Sequence, residues 1–129
     1  MAKIAFDAAT RGNPGESVCG VVIALENERI KETKYLGITD NHSAEWEALL
    51  YALHLAIQHG VKNAFIQTDS KLVEDSILDD QVKSEKFKHY FQTYKSLEHE
   101  FDLVFVKWVP RDQNKEANQL SQQALRKMK

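Results

Sequence analysis

NHSAEWEALLYALHLAIQHG, residues 41–60, is the stretch on which the fold turns. Trp46, Leu49, Leu50, Leu53 and Ile57 fall at i, i+3, i+4, i+7 and i+11, the apolar stripe of an α-helix, and Gly60 stands where a glycine ends one. Upstream the period is different. Lys3–Ala8 reads as a short strand, Thr10–Gly15 as a turn rich in Gly, Asn and Pro, and Ser17–Leu25 with Arg29–Leu36 as a hairpin bent at Glu26-Asn27-Glu28. Downstream, strand and helix alternate. Asn63–Thr68 is a strand ended by Asp69, and Ser70 caps a short helix through Ile77. Ser84–Glu100 is a polar helix with Phe87, Tyr90, Phe91, Tyr94 and Leu97 inward. Phe101–Val109 is a strand closed by Pro110, and Asn114 caps a last helix with Ala117, Leu120, Ala124 and Met128 inward. The order β-β-β-α-β-α-α-β-α predicts an α/β fold: one mixed five-stranded sheet, three antiparallel strands then two parallel ones, flanked by helices.

With 129 residues, 43% of them hydrophobic, the chain is expected to form a single domain with its own core. Cys19 is alone, which excludes an internal disulfide, and its apolar run Val18–Leu25 suits a buried thiol better than a nucleophile. No apolar run approaches the roughly 18 residues of a membrane span, and no signal-peptide pattern precedes Ile4, so a cytoplasmic protein is expected. Seventeen basic against nineteen acidic residues leave a net charge of −2, so no global basic field advertises nucleic acid. Locally the balance reverses. Lys107–Lys129 holds six basic and two acidic residues, and Lys83–Lys95 holds four lysines against Glu85; either stretch can face phosphates or be a solvated helix face.

Three acids end elements and flank apolar residues: Asp7 after Ile4-Ala5-Phe6, Glu45 beside Trp46, and Asp69 after Phe65-Ile66-Gln67-Thr68. If the first and fourth strands are parallel neighbours, both aspartates emerge at the carboxyl edge, where open α/β sheets place ligands. Crowded carboxylates raise one another's pKa unless a cation sits between them. Hard divalent ions answer that need, and Mg²⁺ held by few carboxylates together with phosphate suggests phosphoryl transfer. Taken singly, each acid has a plainer role: an Asx turn for Asp7, a favourable helix N-terminus for Glu45 and a cap for Asp69.

Four motifs in order along the chain resemble the type 1 ribonuclease H family: FDAATRGNPG at residues 6–15, NHSAEWEAL at 41–49, TDSKLV at 68–73 and WVPRDQNKEA at 108–117. The resemblance implies an endonuclease that cuts the RNA strand of RNA/DNA hybrids with two Mg²⁺ ions, Mn²⁺ being an alternative, held by four acids. Three carry over onto Asp7, Glu45 and Asp69. The fourth lands on Asn118, which can offer an oxygen but no charge and cannot act as a base, so slower chemistry or a higher Mg²⁺ requirement is implied. Glu116 is no substitute, because two residues turn a helix by roughly 200°. Asp112 in the preceding loop is the other nearby acid. Asn118 can equally be a solvent-facing amide in a first helical turn. Ala8 stands where the family usually has Gly.

The resemblance also places Asn13 and Asn41 at the substrate, with His42 where a second Asn is common, and puts Arg111 where many relatives carry a catalytic His. Arg cannot shuttle protons at neutral pH but grips phosphate. A turn residue is the plainer role of Asn13, and a helix cap that of Asn41. The chain looks too short for the protruding handle some members use to hold DNA, for which Lys83, Lys86 and Lys88 partly substitute. The partner implied is an RNA/DNA hybrid and the default state a monomer. A catalytically inactive module of this fold that binds nucleic acid is the rival reading, and a metal-binding scaffold without a nucleic-acid role a third.

Overall fold

The computed structural model describes residues 1–128; Lys129, the end of the basic C-terminal stretch, lies outside the described residues. Three antiparallel strands, β1 (Ala2–Gly12), β2 (Gly15–Ala24) and β3 (Arg29–Thr39), lead into α1 (Asn41–Gln58). Then come β4 (Asn63–Thr68), α2 (Lys71–Asp79), a 3-10 turn at Glu85–Phe87, α3 (Lys88–Glu98), β5 (Leu103–Trp108), a second 3-10 turn at Arg111–Gln113, and α4 (Lys115–Lys127). The five strands lie in the order β3-β2-β1-β4-β5, with β4 parallel to both β1 and β5. This is the mixed sheet the period changes predict.

Several boundaries differ from the sequence reading, each for a physical reason. β1 does not stop at Ala8. Thr10, Arg11 and Gly12 continue the ladder opposite Ser17, Glu16 and Gly15, so the turn shrinks to Asn13-Pro14, with Gly12 at φ 97° supplying the left-handed backbone it requires. α1 is capped by Asp40, whose Oδ1 accepts from the Ser43 N–H at 2.9 Å, and not by Asn41. The helix read over 84–100 is interrupted, because Ser84 caps only the 3-10 turn before α3 begins at Lys88. β5 is shorter than read, running from Leu103, with Phe101 left before it as a buried anchor. Ser70 caps α2 as expected, and Gly60 follows α1 at φ 74°.

The pleat of β1 and β2 divides the core into two layers. Ile4, Phe6, Cys19, Val21 and Ile23 face α1, whose Trp46, Leu49 and Leu53 are fully buried. Burial pushes the Cys19 thiol up to about 12, as befits an inert core residue. The alternate residues Asp7, Ala9, Val18, Gly20 and Val22 lie on the other face, beneath α4. Gly20 decides how close that helix comes. A Cβ there would stand 2.9 Å from both the Ala117 carbonyl oxygen and the Ser121 nitrogen, and Gly20 is the ladder partner of Asp7. The missing side chain therefore lets α4 settle where its own side chains reach Asp7. Gly20→Ala forces the helix outward and costs about 1–3 kcal/mol, measurable by urea unfolding, with the Asp7 contacts loosened in the same variant.

Candidate active site

The last β1–β4 pair, Ala5 with Gln67, continued by two residues sets Asp7 level with Asp69 on neighbouring parallel strands. Both lie at the carboxyl edge of the sheet, and Glu45 reaches the same place from the second turn of α1. The three line one cleft of about 520 Å³ with Asn41, His42, Trp108 and Arg111. Asp7 is 7% exposed. Burial, and then repulsion by Asp69, lifts its pKa from 3.8 to about 6 against the opposing pull of Asn118, Ser121 and Arg111. Burial also raises Glu45, opposed by the contact with His42. Asp69 is raised by burial and eased by Asn114 and Arg111.

Burial disfavours all three anions and Asp69 adds repulsion at Asp7 and Glu45, and a cation would relieve both. Among the described residues, however, no three His, Cys, Asp or Glu side chains are grouped tightly enough to form a ready-made metal cage. The donor set suits an ion of the Mg²⁺ kind, which takes oxygen ligands, keeps several waters and needs only one or two carboxylates besides a substrate phosphate. On that chemistry the residues fit a hard divalent ion arriving with its water and substrate.

Asn118 does not face solvent. It is half-buried, and its Nδ2 donates to Asp7 Oδ2 at 2.8 Å, while Ser121 Oγ donates to the same oxygen at 3.0 Å. The amide at the fourth position thus supplies what a carboxylate would lack, a proton for Asp7. Glu116 is turned away and paired with Arg29 and Lys31 at 2.8 and 3.0 Å. Ala8 pairs with Cys19 inside the ladder and is not among the positive-φ residues, so this departure from the family's Gly brings no backbone strain.

Asn13 and Asn41 form one small network at the rim. Asn41 N–H donates to Asn13 Oδ1 at 3.0 Å, and Thr10 Oγ1 donates to Asn41 Oδ1 at 2.5 Å. Asn41 lines the cleft; Asn13 supports it from behind. Arg111 is exposed on the 3-10 turn before α4, at the cleft wall.

Asn114 stands at the N-cap position of α4 as expected, its carbonyl accepting from the Asn118 N–H, but its side chain is used elsewhere. Its side chain makes no capping bond; it is buried, and its Nδ2 donates to the Phe6 carbonyl at 3.0 Å, bolting the start of α4 to β1 beside Asp7. Ser121 and Trp108 were not singled out from sequence. Ser121 lies four residues after Ala117 on the inward stripe of α4, and a hydroxyl in such a stripe is the signal that marks it. The Trp108 indole donates to the Asp69 carbonyl at 3.1 Å and its backbone N–H to Glu74 Oε2 at 2.7 Å, which holds the end of β5 against the cleft. Of the lysines read as a substitute handle, Lys86 is paired with Asp40 and Lys88 with Glu85, while Lys83 has no ion pair among the described residues.

The reverse transcriptase-like family model matches residues 5–124. Ribonuclease HI of Halobacterium salinarum is 30% identical over 93% of this chain and 62% of its own length. The chain belongs to the type 1 ribonuclease H family. The crystal structure of RNase H1 from that archaeon superposes with a TM-score of 0.90 at 28% identity, covering 97% of both chains. LC11-RNase H1 in complex with an RNA/DNA hybrid superposes at 0.86, again 28% identical, over 97% of this chain and 99% of that one. EbsB of Enterococcus faecalis is 40% identical over 98% of this chain and 96% of its own length. A bifunctional protein of Mycobacterium tuberculosis, Rv2228c, is 30% identical over 95% of this chain, which spans only 35% of it. This chain places its sheet edge and the start of its longest helix around an acidic cleft.

Proposed function

We propose that this ribonuclease H hydrolyses the RNA strand of RNA/DNA hybrids with divalent metal ions held by Asp7, Glu45 and Asp69, with the Asn118 carbonyl a weak fourth ligand, and that Asn118 slows it. The observation that carries this reading is the register that sets buried Asp7 level with Asp69 at the edge of a cleft open to substrate. Bound Mg²⁺ or Mn²⁺ supplies Lewis acidity for the attacking water and for the departing 3′ oxygen. The chain's own residues do the rest. Asp7, held by Asn118 and Ser121, fixes one carboxylate oxygen and leaves the other to face the cleft. Asn41, tied to Thr10 and Asn13, presents an amide to the ribose side, the part that separates RNA from DNA. Arg111 grips a phosphate, and its charge favours the anionic forms of the two aspartates. Water adds to phosphorus and the bond to the 3′ oxygen breaks, leaving one strand end with a hydroxyl and the other with a phosphate.

A second reading has a specific observation behind it. The Asn118 amide already shields Asp7 without a metal, as a module that binds hybrid without cutting it would require. The cleavage assay separates the two: labelled hybrid cut in a Mg²⁺- or Mn²⁺-dependent manner supports the enzyme, whereas retention of uncut hybrid supports the module. The protein acts as a monomeric, cytoplasmic domain in this reading, and no helix among the described residues is long and apolar enough to cross a membrane. Arg111→Ala raises KM about tenfold with a smaller change in kcat and flattens the salt dependence, as expected when one charge-assisted phosphate contact is lost. With Lys86 and Lys88 already paired, few lysines are free for phosphates, so hybrid binding is weak and is weakened further by added salt.

A further inference from the structure

We propose that His42 is itself a ligand of the cation held at Glu45, and that its ring nitrogen tilts this site from Mg²⁺ toward first-row transition ions such as Mn²⁺. The inference rests on the metal-dependent reading above. His42 and Glu45 stand three residues apart at the start of α1 and so share one face of the helix. His42 Nδ1 lies 2.9 Å from Glu45 Oε1. Adjacent vertices of an octahedron with bonds of about 2.1 Å are about 3.0 Å apart, so both atoms can meet one ion almost as they stand.

The imidazole is held in place. The side chain is 61% exposed toward the cleft, while one ring edge meets Phe87 at 6.3 Å and 81°, and Phe87 is 8% exposed. It is also the one nitrogen heterocycle of the histidine type among the residues lining the cleft, whose other candidate donors are carboxylate and amide oxygens. Imidazole favours the later first-row ions, whereas carboxylates and water favour Mg²⁺. With an amide in place of an acid at Asn118, the site has lost one anionic oxygen, and a neutral nitrogen donor partly restores its ligand count without adding negative charge.

Mn²⁺ bound to the untagged full chain, studied by pulsed electron paramagnetic resonance, tests this directly, alongside calorimetric Mn²⁺ and Mg²⁺ affinities for the wild type and His42→Asn. The expected result is ¹⁴N modulation of the bound Mn²⁺ that disappears in H42N, while Mn²⁺ still binds and its preference over Mg²⁺ falls about tenfold. Mn²⁺ bound without nitrogen modulation, or modulation that persists in H42N, overturns the role of His42 and leaves the carboxylate site standing. No bound Mn²⁺ in either protein, with or without hybrid, overturns both.

Discussion

Asp7→Asn abolishes hybrid cleavage and, in metal-free solution at neutral pH, makes the protein more stable. Activity falls by on the order of a thousandfold, the scale of removing one preorganised electrostatic group from a reacting centre. Stability moves the other way because the folded chain disfavours the Asp7 anion, whose pKa stands at about 6 against an ordinary 3.8. Below about pH 4 the carboxyl is protonated in folded and unfolded chains alike, and its burial costs least. Between those two values the unfolded chain releases the proton and the folded one does not, so stability falls as pH rises and levels off above about 6. Asp40, Glu74 and Glu116, held below the usual carboxylate range by lysine, arginine or N–H partners, work in the opposite sense, and their effect is complete just above their ordinary values, in the lowest part of that window. The Asn variant keeps an oxygen for Asn118 and Ser121 and removes the penalty, a gain of roughly 3 kcal/mol at pH 7. Thermal unfolding in chelator, scanned from pH 4 to 7, shows a midpoint that falls in the wild type and falls less in the variant, where Glu45 and Asp69 keep their raised pKa values. A wild-type midpoint that rises across this range contradicts the account.

Asn118→Asp has the next largest effect, and its sign depends on metal. Without metal, the substitution replaces an N–H donor 2.8 Å from Asp7 Oδ2 by a second carboxylate, two acceptors sharing no proton. The loss is about 1–3 kcal/mol, the cost of an unpaired buried polar group, seen as a midpoint lower by roughly 4–10 °C. With Mg²⁺ the added carboxylate becomes a ligand. The variant then binds the ion on the order of tenfold more tightly and cuts hybrid faster at low Mg²⁺. Measuring thermal midpoint against Mg²⁺ concentration for both proteins shows the crossing. If the variant stays less stable at every concentration and cuts no faster, Asn118 is not at a metal position and the binding-module reading gains.

How much was legible from the residues alone depends on what each one does. Asp7 and Asp69 stand out because a charge at the end of an apolar strand is costly anywhere but at a sheet edge, and the period changes around residues 41–60 were enough to make their strands parallel neighbours. Asn118 was legible as a departure but not as a donor, because its direction toward Asp7 depends on Gly20 letting α4 descend, a contact between segments about a hundred residues apart. Asn114 looked like a cap because asparagine before a helix usually is one; the buried Phe6 carbonyl offered its side chain a better partner. At residues 10–12 turn-forming composition masked a ladder that only the register with β2 reveals. Asp40 and Asn41 are both cap residues by type, and only geometry assigns the cap to the first and the rim network to the second.

Anomalous scattering from crystals grown with hybrid and Mn²⁺, using Asp7→Asn to keep the substrate intact only if the wild type cuts it, locates the ions directly. The account predicts Mn²⁺ within about 2.2 Å of carboxylate oxygens from at least two of the residues at positions 45, 69 and 7, adjacent to a backbone phosphate. Manganese found elsewhere, or a hybrid seated across the cleft with these side chains touching only water and one another, contradicts it.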